Sequence, residues 1–268
     1  MKILIINNGF LGDGMLAGSF AENCKKNGFE KVDLLVGWPQ IHKLLSNNPY
    51  IDNVFLSSTI GAYPTYPQEL LTLYDKVYPI DHLVFSERPI DTFNKTIGLK
   101  SLDYDFKLYV PDVEIEAKIK HRLSFQYDWS TRSFSKGRKP RDPQYIIDSI
   151  SDKYEVFVIG DDTHWNINEN TSTTFLQHCA VIKETDVFFG YPGGMHWVAA
   201  GVGTPSITTS EWLLEHYKNK REFVGNNFDE FKDQWMVHAC KHHGDSHILL
   251  EPEISDEDII TYLLNYQV

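Results

Sequence analysis

The clearest chemical pattern in the chain is residues 186–209, DVFFGYPGGMHWVAAGVGTPSITT. An apolar run of aromatic and β-branched residues stops at the glycine pair Gly193 and Gly194, and the small-residue segment after it is typical of a helix. A strand, a glycine turn and a helix start present backbone N–H groups and partial positive charge. The pattern therefore predicts a phosphate site at the turn, although a glycine pair also occurs in turns that only pack.

His196 lies two residues after this glycine pair, in the first turn of the predicted helix. Its imidazole could donate a hydrogen bond to a phosphate, or it could pack its polar edge against Asp186 or a backbone carbonyl. Both interpretations remain open from the sequence alone.

Asp13 follows the first predicted strand and is flanked by Gly12 and Gly14. In a loop at the end of that strand, its carboxylate could take a proton from a bound hydroxyl as a general base. Such a base contributes about 10²- to 10⁴-fold to a rate. An Asp directly before a helix is also a common N-cap, so a purely structural role is the alternative.

A dense basic cluster lies within the loop that follows the predicted strand LSFQYD. The planar guanidinium of arginine can donate two parallel hydrogen bonds to a phosphate, and the ammonium of lysine supplies a compact positive charge. The cluster therefore suits a diphosphate. A solvated loop is the structural alternative. The best candidates are Arg132 and Lys136, which lie nearest the strand end. The full cluster consists of Arg132, Lys136, Arg138, Lys139 and Arg141.

Two further groups of polar residues could bind a ligand or a metal. Asp161 and Asp162 end the strand EVFVIGD, where a carboxylate could meet a ribose or form a turn. The segment 240–247, CKHHGDSH, has the composition of a metal cluster, but its spacing matches no standard zinc pattern. We interpret it as an exposed loop, and we predict no metal or other cofactor.

The elements that position these residues alternate between strands and helices. KILIIN, VDLLVG and VFLS are predicted strands of a first half that FKLYV closes as a further strand. LSFQYD, EVFVIG and the strands around the glycine turn form a second half, and a helix capped by Ser255 with Asp258 three residues on ends the chain. Alternation of this kind predicts parallel sheets.

The expected architecture is α/β, with two Rossmann-like domains facing each other across a cleft. We predict an N-terminal domain over 1–112, a linker over 113–121 and a C-terminal domain over 122–268. Ligands of open α/β sheets bind beyond the carboxyl ends of the strands, so we expect the site in the cleft.

Composition narrows the classes of function. A net charge of −12 argues against a surface that binds nucleic acid. The three cysteines, Cys24, Cys179 and Cys240, form no CxxC pair, which favours a reducing compartment. No apolar run reaches the roughly 18 residues of a membrane span, and the opening segment is typical of a strand rather than a signal peptide. We therefore expect a soluble, cytoplasmic protein.

Taken in order, these segments resemble glycosyltransferase family 9, the bacterial heptosyltransferase family, whose members share the two-domain GT-B fold. The resemblance covers nearly the whole chain and includes LGD before the first helix, HKLLSNNPYIDNVF and FKLYVPDVE. Its most telling part is DVFFGYPGGMHWVAAGVGTPSIT, which is similar to the family's donor-site signature. The chain departs from that signature at Tyr191 and Pro192, where the family has Asp or Ser and Thr, so the resemblance does not specify the donor.

The resemblance implies an inverting transfer of a sugar from a nucleotide-diphosphate sugar to a hydroxyl-bearing acceptor such as a glycan, with no required metal. It gives Asp13 the role of base, and it makes Gly193, Gly194, Met195 and His196 the diphosphate-binding turn. Lys136 or Arg132 matches the phosphate-binding lysine of the family. Arg138 and Asp162 complete the expected donor site, and Gly12 and Gly14 shape the expected acceptor-side loop.

Three alternatives use the same fold. One is a nucleotide-sugar epimerase or hydrolase, which would release or alter sugar without an acceptor. The second is a glycosyltransferase acting on DNA bases, which would need a basic groove. The third is a nucleotide-binding protein without catalytic activity, because a fold does not fix a function.

Overall fold

The structure is a computed structural model of the 268-residue chain. It describes residues 1–9, 11–60, 64–80, 89–100, 106–112, 119–126, 141–159, 175–191, 193–210, 227–232 and 246–268. The described residues fall into two compact units. One lies within Met1–Pro111, and the other lies within Asp112–Asp233 and Gly244–Val268.

The first unit is built on a four-stranded parallel sheet in the order β3-β2-β1-β4. β1 and β2 are mostly apolar and almost wholly buried, as expected of strands covered on both faces. The strands are β1 (Lys2–Ile6), β2 (Lys31–Val36), β3 (Asn53–Leu56) and β4 (Lys76–Pro79). The helices are α1 (Leu11–Lys26), α2 (Pro39–Leu45), α3 (Gln68–Leu71) and α4 (Pro89–Ile97).

Helix α1 packs closely against its neighbours because small residues line the contact. A Cβ added to Gly14 would lie 2.9 Å from Ile41, and one added to Gly18 would collide with Leu45, both residues of α2. On another side of α1, the rings of Phe20 and Phe93 stack with their centroids 4.3 Å apart. These contacts fix α1 between α2 and α4.

The second unit contains a five-stranded parallel sheet in the order β6-β5-β7-β8-β9. The strands are β5 (His121–Gln126), β6 (Tyr154–Ile159), β7 (Val187–Gly190), β8 (Ser206–Thr208) and β9 (His247–Leu249). The helices are α5 (Pro143–Ile150), α6 (Phe175–Lys183), α7 (Gly194–Val202) and α8 (Asp256–Asn265). One apolar core joins this sheet to α5 and α8.

The C-terminal helix begins as its sequence predicts. The Ser255 hydroxyl accepts from the backbone N–H of Asp258, and the Asp258 side chain accepts from the backbone N–H of Ser255. This capping box satisfies two N–H groups at the start of α8.

One predicted strand is wrong. Residues 106–110, FKLYV, have the alternating burial of a strand, with Phe106, Leu108 and Val110 buried, but they do not join the four-stranded sheet. Alternating burial of side chains indicates an extended chain with one buried face. It does not indicate whether a neighbouring strand pairs with that chain.

No helix in the described ranges is long and apolar enough to cross a bilayer.

Candidate functional site

The strand order of the second unit contains a reversal at β5. The chain goes from β5 outward to β6 and then returns to the other side of β5 as β7. In doubly wound sheets, ligands bind beyond the carboxyl ends of the two strands that flank such a reversal. Here those ends are Gln126, on β5, and Gly190, on β7.

The predicted glycine turn lies at this edge. β7 ends at Gly190, and α7 begins at Gly194 with Gly193 as its N-cap. Gly193 provides no side-chain cap, and its backbone is extended, with φ 176°. Among the described residues, a Cβ added there would meet nothing within 4 Å, so none of them fills the space directly beside the helix start. Gly194 and Met195 are the first two helical residues, and their N–H groups precede any intrahelical acceptor.

His196 is in the same turn, but its ring points into the protein. Only 1% of the residue is exposed, and its ring meets that of His247 edge to face, with centroids 5.7 Å apart. His247 is on β9, where its Nδ1 forms a 2.6 Å hydrogen bond with Ser206 Oγ on β8. This geometry favours the packing interpretation of the imidazole and ties the start of α7 to the sheet.

A small pocket opens at the same edge of the sheet. Its floor is formed by the ends of β5 and β7, and Arg141 and Ile146 close it on the side of α5. Its lining residues are Phe125, Gln126, Arg141, Ile146, Phe189, Gly190, Tyr191 and Thr209. The rings of Phe125 and Phe189 lie 5.3 Å apart and give the pocket an apolar wall.

Arg141 is the member of the basic cluster that the structure describes. Its Nη1 donates to Asp256 Oδ1 at 2.7 Å, and its Nη2 donates to the carbonyl of Ile254 at 3.2 Å. The residue is 7% exposed. Because this guanidinium is buried and pairs with α8, it stabilises the pocket wall and leaves little positive charge for a phosphate.

In the first unit, side chains form hydrogen bonds with the backbone of the loop after β1. Asn7, which is fully buried, accepts from the N–H of Gly9 at 2.9 Å, and the indole of Trp38 donates to the carbonyl of Gly9 at 3.1 Å. These two hydrogen bonds fix the backbone that leads from β1 into α1.

Asp13 lies neither in the loop nor at the cap position that the sequence suggests. α1 begins at Leu11, so Asp13 is in the first helical turn, where an acidic side chain is stabilised by the helix dipole. Gly12 and Gly14 are also helical rather than parts of a loop, and Gly14 is buried against Asn7 and Ile41. The helix starts earlier than expected, and Gly14 serves close packing rather than a turn.

Several predicted site residues lie outside the described part of the chain. They are Arg132, Lys136, Arg138, Lys139, Asp161 and Asp162, together with Cys240, His242, His243 and Asp245 of the CKHHGDSH segment. His247 of that segment belongs to strand β9. Within the described ranges, no group of three or more His, Cys, Asp or Glu residues could hold a metal ion.

Sequence reasoning missed two residues of the pocket, Gln126 and Thr209. Each directly ends or follows a predicted strand, in LSFQYD and SITT respectively. The position at a strand end was a usable signal, but the strand order that brings the two ends together is not a local property of the sequence.

No family model matches the chain, and no curated protein matches it in sequence. Solved structures match it in fold over nearly its whole length. A glycosyl transferase of family 9 from Veillonella parvula superposes with a TM-score of 0.66 at 12% identity, covering 99% of this chain and 97% of that one. E. coli heptosyltransferase WaaC with ADP-2-deoxy-2-fluoro heptose gives a TM-score of 0.60 at 11% identity, covering 98% and 99%.

A third similar structure is the E. coli ADP-heptose lps heptosyltransferase II, with a TM-score of 0.55 at 13% identity and 98% of each chain covered. Identities this low establish a shared fold. The predicted α/β class with two parallel, Rossmann-like sheets is confirmed, and so is the predicted structural resemblance to family 9 glycosyltransferases and ADP-heptose heptosyltransferases.

Proposed function

We propose that this protein is a glycosyltransferase that moves a sugar from a nucleotide-diphosphate sugar to a hydroxyl-bearing acceptor such as a glycan, with inversion and without a metal. The observation that carries the proposal is the open start of α7 at the carboxyl end of β7. It is supported by the similarity in fold to glycosyltransferases, among them a heptosyltransferase described with an ADP-linked fluoro-heptose.

In this proposal the second unit binds the donor. The N–H groups of Gly194 and Met195, with the open space at Gly193, receive the diphosphate, and the helix dipole favours its negative charge. His196 holds the turn in place through its buried ring. Arg132, Lys136 and Arg138 are proposed to add positive charge. Asp162 is proposed to bind the ribose.

The first unit supplies the base. The acceptor hydroxyl oxygen forms a bond to the anomeric carbon of the donor, while the bond from that carbon to the diphosphate oxygen breaks. Asp13 takes the hydroxyl proton. The negative charge that grows on the leaving diphosphate is stabilised by the start of α7. This electrostatic stabilisation of the leaving group supplies most of the rate enhancement.

The experiment is a product assay in the presence of EDTA. The wild-type protein and Asp13→Asn are incubated with UDP-, ADP- and GDP-linked sugars and a panel of glycan acceptors, and nucleoside diphosphate and glycosylated product are measured by mass spectrometry. We expect acceptor-dependent release for at least one donor and a product of inverted anomeric configuration by NMR. Release of free sugar at a rate independent of the acceptor would contradict a transferase and indicate a hydrolase.

The Asp13→Asn variant separates the catalytic role from a structural one. Asparagine preserves the shape of the side chain but cannot take the proton, so turnover should fall by about 10²- to 10⁴-fold while nucleotide affinity is retained. Asp75→Asn is the matched control, since its carboxylate accepts from the backbone N–H of Lys2 at the opposite, amino end of β1. Equal turnover in wild type and Asp13→Asn would leave Asp13 with a helix-stabilising role only.

A further inference from the structure

Three neighbouring strands of the first unit are followed by a carboxylate, an indole and a set of hydroxyls. Asp13 is in the helix after β1, Trp38 lies two residues beyond the end of β2, and Ser58 and Thr59 follow β3. The strands are parallel and adjacent in the order β3-β2-β1, so these groups belong to one edge of the sheet, the edge at which open α/β sheets bind ligands. Neighbouring strands are about 4.8 Å apart, so the three strand ends span about 10 Å.

Trp38 occupies a position at which a small polar residue would stabilise the helix start. It is the N-cap residue of α2, and its side chain forms no capping hydrogen bond. Serine, threonine, asparagine and aspartate are the residues that accept such bonds from the first helical N–H groups. The residue is also partly exposed. Its large ring therefore has a role other than starting α2.

One hydrogen bond fixes the orientation of this ring. The indole N–H of Trp38 donates to the carbonyl of Gly9 at 3.1 Å, which joins the end of β2 to the loop after β1. Because the polar edge of the ring is used in this bond, the surface that the side chain can present to a ligand is apolar carbon. A ring that is already fixed loses little conformational freedom when a ligand stacks on it.

Gly9 also places the indole close to the proposed base. A Cβ at Gly9 would lie 2.5 Å from Asp13 Cγ, and the carbonyl of the same glycine accepts from Trp38. The carboxylate and the indole therefore both contact one residue. A molecule whose hydroxyl reaches Asp13 also lies within reach of the ring of Trp38.

The loop after β3 adds uncharged hydrogen-bonding groups. The buried Ser57 hydroxyl donates to the carbonyl of Thr65 at 3.0 Å and accepts from the N–H groups of Thr59 and Thr65, at 3.1 and 2.9 Å. This arrangement brings together three exposed residues that we call the hydroxyl cluster (Ser58, Thr59 and Thr65). The Thr65 hydroxyl lies 2.6 Å from that of Thr59 and 3.3 Å from that of Ser58. Each hydroxyl can donate once and accept twice, so the cluster retains capacity for a ligand.

We propose that this edge binds the acceptor as a neutral saccharide, with the apolar face of one sugar ring stacked on Trp38 and hydroxyls of that ring or the next hydrogen-bonded to the hydroxyl cluster. A sugar ring has C–H groups on a face and hydroxyls around its rim, which match an aromatic face and uncharged donors and acceptors. The indole and the hydroxyl cluster carry no positive charge, so they favour an uncharged ring over a phosphorylated one. The proposal rests on the proposed function, because it assigns the acceptor of the reaction that Asp13 assists.

The test measures saccharide binding to the full chain in the absence of a donor, so it does not depend on catalysis. Isothermal titration uses cellobiose, lactose and chitobiose as neutral probes, with mannitol as a polyol that has hydroxyls but no ring. We expect saturable binding of at least one disaccharide and no binding of mannitol. Glucose and glucose 6-phosphate form a matched pair for charge. Failure of every disaccharide to bind, or tighter binding of glucose 6-phosphate than of glucose, would overturn the proposal.

Variants of Trp38 locate the bound sugar. Trp38→Ala should weaken disaccharide binding by about tenfold, whereas Trp38→Phe keeps an aromatic face and should lose less. Tyr50→Ala is the matched control, because Tyr50 is a partly exposed aromatic residue near the opposite, amino end of β3 and packs on Tyr109. Bound sugar should also shift the tryptophan fluorescence of the wild type. That shift should be absent in Trp38→Phe even when the sugar is bound, a result that a purely structural role of the indole would not give.

The transfer reaction provides a second readout. In Trp38→Ala the KM for the acceptor should rise by about tenfold, while the affinity for the nucleotide sugar stays that of the wild type. Unchanged acceptor affinity in a Trp38→Ala protein that unfolds at the wild-type temperature overturns the saccharide site and leaves the proposed function intact. Sugar binding that depends on Trp38, in a protein that turns over no nucleotide sugar, supports the saccharide site and overturns the proposed function.

Discussion

The carboxyl group of Asp13 fills the space that a side chain at Gly9 would need, since a Cβ at position 9 would lie 2.5 Å from Asp13 Cγ. Gly9 is in turn fixed by its hydrogen bonds with Asn7 and Trp38. The close approach of the loop after β1 therefore limits where the carboxylate of Asp13 can lie.

We predict that Gly9→Ala lowers turnover by about tenfold or more without lowering nucleotide affinity. The new methyl group displaces the Asp13 carboxylate, and misplacing a reacting group by about 1 Å can cost about 10²-fold. Steady-state kinetics on the transfer reaction and titration of the nucleotide measure the two effects. Full activity in Gly9→Ala would show that the position of Asp13 does not matter for the reaction.

Gly193→Ala should leave stability nearly unchanged but weaken binding of nucleoside diphosphates by about tenfold. The backbone of Gly193 is extended and its Cβ direction is open, so the free energy of unfolding should change by less than about 0.5 kcal/mol. The added methyl would then occupy the space proposed for the diphosphate. Denaturant unfolding and isothermal titration give the two values.

Gly190→Ala is the contrasting variant. Its Cβ would press against Gln126, so it should destabilise the protein by about 1–3 kcal/mol through overpacking.

Undiminished nucleotide binding by Gly193→Ala would contradict the proposed position of the diphosphate.

His196→Phe should fold and bind nucleotide as the wild type does. Phenylalanine keeps an aromatic ring that can pack against His247. Thermal unfolding and titration test this expectation. A clear loss of affinity with an unchanged melting temperature would show instead that the imidazole contacts the phosphate.

Stability should fall as the pH rises from about 9 to 12. Burial raises the pKa of Tyr154 from 10.0 to about 12 and that of the Cys179 thiol from 9.0 to about 12. The folded state therefore holds these protons more tightly than the unfolded state does. The stabilisation is fully present below the ordinary pKa values and is lost as the pH rises through the raised ones.

Tyr154→Phe tests this pH dependence. The variant loses the 2.9 Å hydrogen bond from the Tyr154 hydroxyl to the carbonyl of Leu263, at a cost of about 1 kcal/mol near neutral pH. Its free energy of unfolding should also decline less steeply between pH 9 and 12 in urea titrations. A slope identical to that of the wild type would exclude Tyr154 as a source of the alkaline loss.

Local sequence pattern predicted most of the secondary structure. The buried strands β1 and β7, the helix start after the glycine pair and the capping box at Ser255 each depend on residues that are adjacent in the chain. Residues 106–110 show the limit of prediction from local pattern. Their side chains alternate between buried and exposed, yet the segment does not pair with the described sheet.

The candidate site was predicted less completely, because it depends on contacts between distant segments. Helix α1 starts before Asp13 and packs Gly14 on Ile41, more than 20 residues away, which no local pattern indicates. Likewise, Gln126 and Thr209 become neighbours of one pocket only through the order of β5, β7 and β8.

The most direct measurement is a crystal structure of the protein soaked with the nucleoside diphosphate that binds it most tightly. We predict density for a diphosphate whose oxygens lie about 2.9 Å from the backbone nitrogens of Gly194 and Met195, at the start of α7. A nucleotide bound elsewhere, with the start of α7 left unoccupied, would contradict this prediction.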